Sequence, residues 1–144
     1  MAATALVDTG ALLALLDKDD KWHKACVEVF RSVHFPVLTT IAVLTELLHL
    51  TLRDFGTVEP AWQLLETQGV QLAPVLSDEL WSLRRLMLEY GDRPMDFADA
   101  TLVHVANRES ISTIVTIDHD DFETYRLKGN KKFNIRPHRN ATTR

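Results

Sequence analysis

The sequence predicts an α/β domain: a central, mostly parallel sheet of about four to five strands with helices packed on both faces. Three observations carry this prediction. Short apolar runs of strand length recur near residues 4–7, 36–40, 70–75 and 113–118, separated by stretches whose apolar residues fall at helical spacing. Strands that alternate with helices imply parallel neighbours joined by crossovers. The chain has 144 residues, 46% of them hydrophobic, with only five glycines and five prolines, which suits one folded domain spanning 1–144.

Each element has a local reason. "TALV" (4–7) is a short apolar strand, and "TGALLALL" after it has helical spacing. In "DDKWHKACVEVFRSV", Asp20 is a candidate N-cap, with Trp22, Cys26, Val29, Phe30 and Val33 as the apolar stripe. "PVLTT" (36–40) is a second strand, and "IAVLTELLHLTLRDF" is a helix that should end before Gly56. "EPAWQLLETQG" is a helix with a glycine stop, "VQLAPV" a third strand, and "SDELWSLRRLMLEYG" a helix with Ser77 and Asp78 as capping candidates. A helix follows Pro94, "TIVTID" (113–118) is a fourth strand, and "KFNIRP" (132–137) is a fifth.

Charge is divided unevenly. Residues 1–125 hold nine Lys or Arg and all twenty acids, a net of −11, whereas residues 126–144 hold seven Lys or Arg and no acid. The acidic body argues against broad, salt-driven binding to duplex DNA, while the basic tail from about 126, expected to end disordered, is suited to touching phosphate. No apolar run reaches the ~20 residues that span a bilayer, and the N-terminus lacks the pattern of a secretory signal, so a cytoplasmic setting is expected, with no membrane. The single cysteine, Cys26, reads as a buried structural thiol, and no Cys/His cluster suggests zinc.

The acids are the informative residues. Asp8 follows the first strand and Asp118 the fourth, so in a parallel sheet both emerge at one edge, where such folds bind ligands. Each also reads as a plain N-cap. Glu46 shares a helix side with Ala42, Val43 and Leu50, with no Lys or Arg within a turn. Asp96 and Asp99 sit in "PMDFADATLVHVA": Asp96 is explained as an N-cap or first-turn acid, Asp99 less well. Clustered carboxylates repel, and a divalent cation removes that conflict. An oxygen-only set favours Mg2+ or Mn2+, and the chemistry that suits such a site is phosphodiester hydrolysis.

"LVDTGALLALLDKDDKWH", "TELLHL", "PMDFADATLVHVANR" and "TIVTIDHDDFETYR", in this order and spacing, resemble the PIN-domain ribonucleases, most closely the VapC-type toxins of type II toxin–antitoxin systems. The resemblance implies a PIN-like three-layer α/β/α sandwich and a metal-dependent endoribonuclease, with RNA as substrate, a small antitoxin as partner and a homodimer as assembly. It makes Asp8, Glu46, Asp99 and Asp118 the catalytic and metal-binding acids. Asp96, Asp121 and Thr116 rank behind them, Thr116 resembling the family's strand-end Ser/Thr. Arg53, Arg93, Arg126 and the tail remain as phosphate contacts.

Alternative readings are a PIN nuclease of RNA processing rather than a toxin, a PIN-like interaction module without catalysis, and an aspartyl-phosphate enzyme or receiver. The last wants a lysine where "TIVTID" ends in acid. His49 and His104 read as core-edge histidines, His119 and Asp120 as a solvated turn, and Trp62 and Trp81 as core or subunit-interface residues.

Overall fold

The structure, a computed structural model, describes residues 3–33 and 36–142. In chain order it contains β1 (Ala5–Val7), α1 (Thr9–Leu16), α2 (His23–Ser32), β2 (Val37–Thr39), α3 (Ile41–Phe55), α4 (Glu59–Thr67) and β3 (Val70–Leu72). A 3-10 turn at Ser77–Glu79 leads into α5 (Leu80–Glu89), followed by α6 (Phe97–Glu109), β4 (Thr113–Val115), α7 (His119–Thr124), β5 (Arg126–Leu127), β6 (Lys131–Lys132) and β7 (Asn134–Arg136).

Five strands form one sheet in the order β3-β2-β1-β4-β7, with every neighbouring pair parallel. The three inner strands, β2, β1 and β4, are covered on both faces, whereas the edge strands β3 and β7 are largely exposed. Leu6, Val7, Val37, Ile114 and Val115 are fully buried, as parallel strands beneath two helical layers require. The chain runs from β1 outward through β2 to β3, then returns to lay β4 on the other side of β1. That reversal makes the crevice between β1 and β4 the switch point, where open parallel sheets accept ligands. Among the described residues no helix is long and apolar enough to cross a membrane.

The helix ends follow capping chemistry, with two revisions. Gly56 adopts φ +73 after α3, a left-handed stop that a side chain would oppose. Asp20 does not cap α2, which starts at His23; its Oδ1 accepts from the Trp22 N–H at 2.7 Å, tightening the turn before the helix. Ser77 and Asp78 do not cap α5 either: they lie within the 3-10 turn, where the Glu79 carboxylate reaches back to the Leu76 N–H at 2.7 Å. Cys26 is buried, and burial pushes its thiol up to about 12. The basic segment is built into the fold as far as it is described, through the β5–β6 hairpin and β7 on the sheet edge. The expected disorder at its end concerns residues 143–144, outside the described residues.

Candidate active site

At the carboxyl edge of β1 and β4 lies an open cavity of about 340 Å³ whose wall includes Asp8, Glu46, Asp96, Asp99 and Asp118, with no Lys, Arg or His in its lining. Four separate segments supply these acids, which is why no contiguous motif announces them. Asp8 follows β1 and caps α1, its Oδ1 accepting from the Ala11 N–H at 3.1 Å. Its Oδ2 accepts from the Thr116 hydroxyl, and Thr116 in turn accepts from the Asp118 N–H at 2.9 Å. The hydroxyl expected at a strand end thus couples the two acids across the switch point.

Asp96 caps α6 and accepts from the Asp99 N–H at 2.8 Å, so it both starts that helix and faces the cavity. Asp99, one turn further, accepts from the Tyr125 hydroxyl at 2.8 Å. Glu46 is solvent-exposed although Val43 beside it is buried; it stands on the rim of α3, with the Thr9 hydroxyl 3.5 Å from Oε1. Asp118 caps α7 through the Asp121 N–H at 3.3 Å. Asp121 lies outside the cavity lining and is paired with Arg93 at 2.9 Å.

The environment raises four of these carboxyls, Asp8, Asp99, Glu46 and Asp118, above their usual range. Burial, reinforced by Asp118 and Glu46, raises Asp8 to about 7 even though Thr116 and the Ala11 N–H favour its anion. Burial and the neighbouring Asp96 raise Asp99 to about 8. Glu46 and Asp118 are raised in the same direction, by desolvation first and by Asp96 and Asp121 respectively. A set of carboxyls that resist ionising together, lined by oxygen donors and no basic side chain, is chemically matched to a hard divalent cation. Among the described residues no group of three or more His, Cys, Asp or Glu is arranged to hold an ion as it stands. An ion bound here would be held by fewer of them or after side-chain movement.

Residues 5–127 match the PIN domain family. The chain also shares 30% identity over 134 residues with ribonuclease VapC26 of Mycobacterium tuberculosis, covering 92% of this chain and 99% of that one. The chain belongs to the PIN-domain family, VapC type. VapC20 of the same organism, described as a sarcin-ricin loop cleaving toxin, superposes on this PIN domain with a TM-score of 0.72 at 23% identity. That match covers 81% of this chain and 92% of the other, and it agrees in fold.

The arginines of this PIN domain are placed differently from the acids. Arg53 pairs with its neighbour Asp54 at 2.7 Å and does not line the cavity. Arg126 is spent on the backbone carbonyls of Glu123, Thr124 and Tyr125. Arg93, on Asp121, is close enough to Asp118 to oppose the rise of its pKa but does not line the cavity. Tyr125 was not foreseen: it is fully buried, packs edge-on against Tyr90 and Phe122, and its contact with Asp99 spans 26 residues without a local pattern. His119, expected in a solvated turn, is buried instead, with Nε2 2.8 Å from the Pro137 carbonyl and its ring against Trp22.

Proposed function

We propose that this chain is a Mg2+- or Mn2+-dependent endoribonuclease, the toxin of a toxin–antitoxin pair acting in the cytoplasm, and that RNA phosphodiesters are hydrolysed in the acid cavity. The observation that carries the proposal is the gathering of five carboxylates, without a basic side chain, at the switch point of a VapC-type PIN domain. In this reading Asp8, Asp99 and Asp118, with Glu46, hold the cation. When bound, it supplies a lowered pKa for an attacking water and stabilisation of charge on the phosphoryl oxygens.

The chain's own groups do the positioning. Thr116 and the Ala11 N–H fix both oxygens of Asp8, leaving each with a lone pair for the cavity. The Tyr125 hydroxyl fixes one oxygen of Asp99 and leaves the other free to point inward. Glu46, exposed on the rim, is the acid best placed to accept a proton from water at Oε2. The proposed antitoxin and homodimer contacts have candidate surfaces in the apolar side chains that the helices leave uncovered: Trp62 and Trp81 are 47% and 70% exposed.

RNA cleavage with and without Mn2+ tests the reading, alongside a melt of the metal-free protein. Wild type should cleave only with metal and should gain melting temperature as Mn2+ is titrated. Asp8→Asn and Asp99→Asn should fold and lose roughly 100-fold or more of the activity, since Asn keeps the cap at position 8. Full activity in either variant would refute the assignment.

A further inference from the structure

A polyanion approaching the acid cavity meets a body carrying −11 over residues 1–125, and the approach is repulsive unless basic groups flank it. Arg53 and Arg126 are engaged away from the cavity, and Arg93 is held by Asp121. Cations without a carboxylate partner lie elsewhere, in a cleft of about 770 Å³ between α2 and the end of β7 with the segment after it, Lys21 among them with its ammonium over the Trp22 ring at 5.9 Å. Lys21 and Lys24 stand on one wall, Arg136 and His138 on the other, and Glu28 is the single acid in the lining. Among the described residues no carboxylate forms an ion pair with Lys21, Lys24 or Arg136.

The cleft is joined to the acid cavity by covalent and packed neighbours. β7 is parallel to β4, so Arg136 and His138 leave the sheet at the edge from which Asp118 emerges. His119, the residue after Asp118, binds the Pro137 carbonyl on one wall at 2.8 Å. Its ring packs on Trp22, next to Lys21 on the other wall, at 5.1 Å between centroids. One histidine therefore fixes both walls relative to the acid beside it. The α2 N-terminus opens at the same wall and adds its positive end to the field of Lys21 and Lys24.

We propose that this cleft is a phosphate track for the RNA, with Lys24 and Arg136 contacting the backbone of the strand that runs out of the acid cavity. The proposal rests on the endoribonuclease reading and adds its substrate path. An RNA strand is favoured over an acidic protein segment because the cleft walls are tied through His119 to Asp118, which lines the cavity where the scissile phosphate would sit.

The test measures binding of a fluorescein-labelled, single-stranded 20-nucleotide RNA of mixed sequence to the uncleaving Asp99→Asn protein, across KCl concentrations. Adding Lys24→Ala and Arg136→Ala should weaken binding about tenfold and flatten the slope of log K against log salt by about 1.4, two phosphates at ~0.7 each. Lys24→Arg with Arg136→Lys should restore the slope. Arg84→Ala with Arg85→Ala, which removes equal charge from the exposed face of α5 outside the cleft, should leave it unchanged. An unchanged slope in the cleft variant, or an equal loss in the α5 variant, would overturn the track. So would a cleft variant that loses binding only to a deca-aspartate peptide, which assigns the surface to an acidic protein. If the RNA slope depends on the cleft while wild type fails to cleave with Mn2+, the track stands and the catalytic reading falls. Cleavage by wild type with no cleft effect gives the reverse.

Discussion

Glu79 and Asp99 are both partly hidden carboxylates, and the protein treats them in opposite ways. Glu79 is satisfied: Oε1 accepts from Arg108 Nη1 at 2.7 Å and His104 Nε2 at 2.8 Å, while Oε2 accepts from the Leu76 N–H. Those donors hold its carboxyl down at about 2. Asp99 has one phenol donor and is surrounded by Asp96, Asp8 and Asp121, so its carboxyl stands near 8. The same functional group is a brace between the 3-10 turn and α6 in one place and an unresolved charge in the other. A carboxylate supplied with cations belongs to the scaffold; one denied them is kept available for something that arrives from outside.

Substitution should separate the two most sharply. Asp99→Asn removes a charge the metal-free fold resists, so its stability at pH 8 should rise by on the order of 2 kcal/mol, read as a higher melting temperature, even as cleavage is lost. Glu79→Gln should do the reverse, lowering the melting temperature by a few degrees while Mn2+-dependent cleavage persists. If both substitutions destabilise the metal-free protein, the contrast fails.

The pH profile should divide along the same line. Asp8 and Asp99 bind protons more tightly folded than unfolded, so their effect is to make metal-free stability fall as pH rises from about 4 toward 7 to 8. Glu79 has a depressed folded pKa, so its contribution is present above about 4.5 and fades as pH falls toward 2. Denaturant melts across pH should show the first slope flattened in an Asp8→Asn/Asp99→Asn protein, with Glu46 and Asp118 leaving a remnant of it, and the second flattened in Glu79→Gln. The smallest effect should come from Asp96→Ala, where the lost cap of α6 costs about 1 kcal/mol and activity falls less than in Asp99→Asn. A deeper activity loss at 96 than at 99 would exchange their roles.

The strands and most helices were legible because period and punctuation are local properties. The apolar runs at 4–7 and 113–118 could hardly be placed anywhere but in a buried sheet, and Gly56 ends α3 where it should. Asp8 and Asp118 could be brought to one edge from topology alone. What local pattern could not supply was pairing at long range. α7 is six residues, too short to display a period, and His119 within it takes its burial from Trp22 and Pro137, 97 and 18 residues away in the chain. Glu46 illustrates the converse: apolar neighbours at helical spacing suggested a hidden side chain, yet it lies on the rim of the stripe, facing the cavity. In the sequence the arginines stand out by charge alone, and only the fold shows which are already engaged.

The central position of β1 also sets a schedule. The cavity takes its walls from residues near 8, 46, 96–99 and 118, and Asp99 is steadied by Tyr125. A chain emerging from the ribosome N-terminus first exposes β1 early but leaves one flank bare until β4 has been made, and β7 later still. Non-local parallel pairing of this kind is also slow to form. A chain built in this order carries an unfinished cavity through most of the synthesis of residues 1–125, because the walls near 8, 46 and 96–99 wait for Asp118 and the Tyr125 that steadies Asp99.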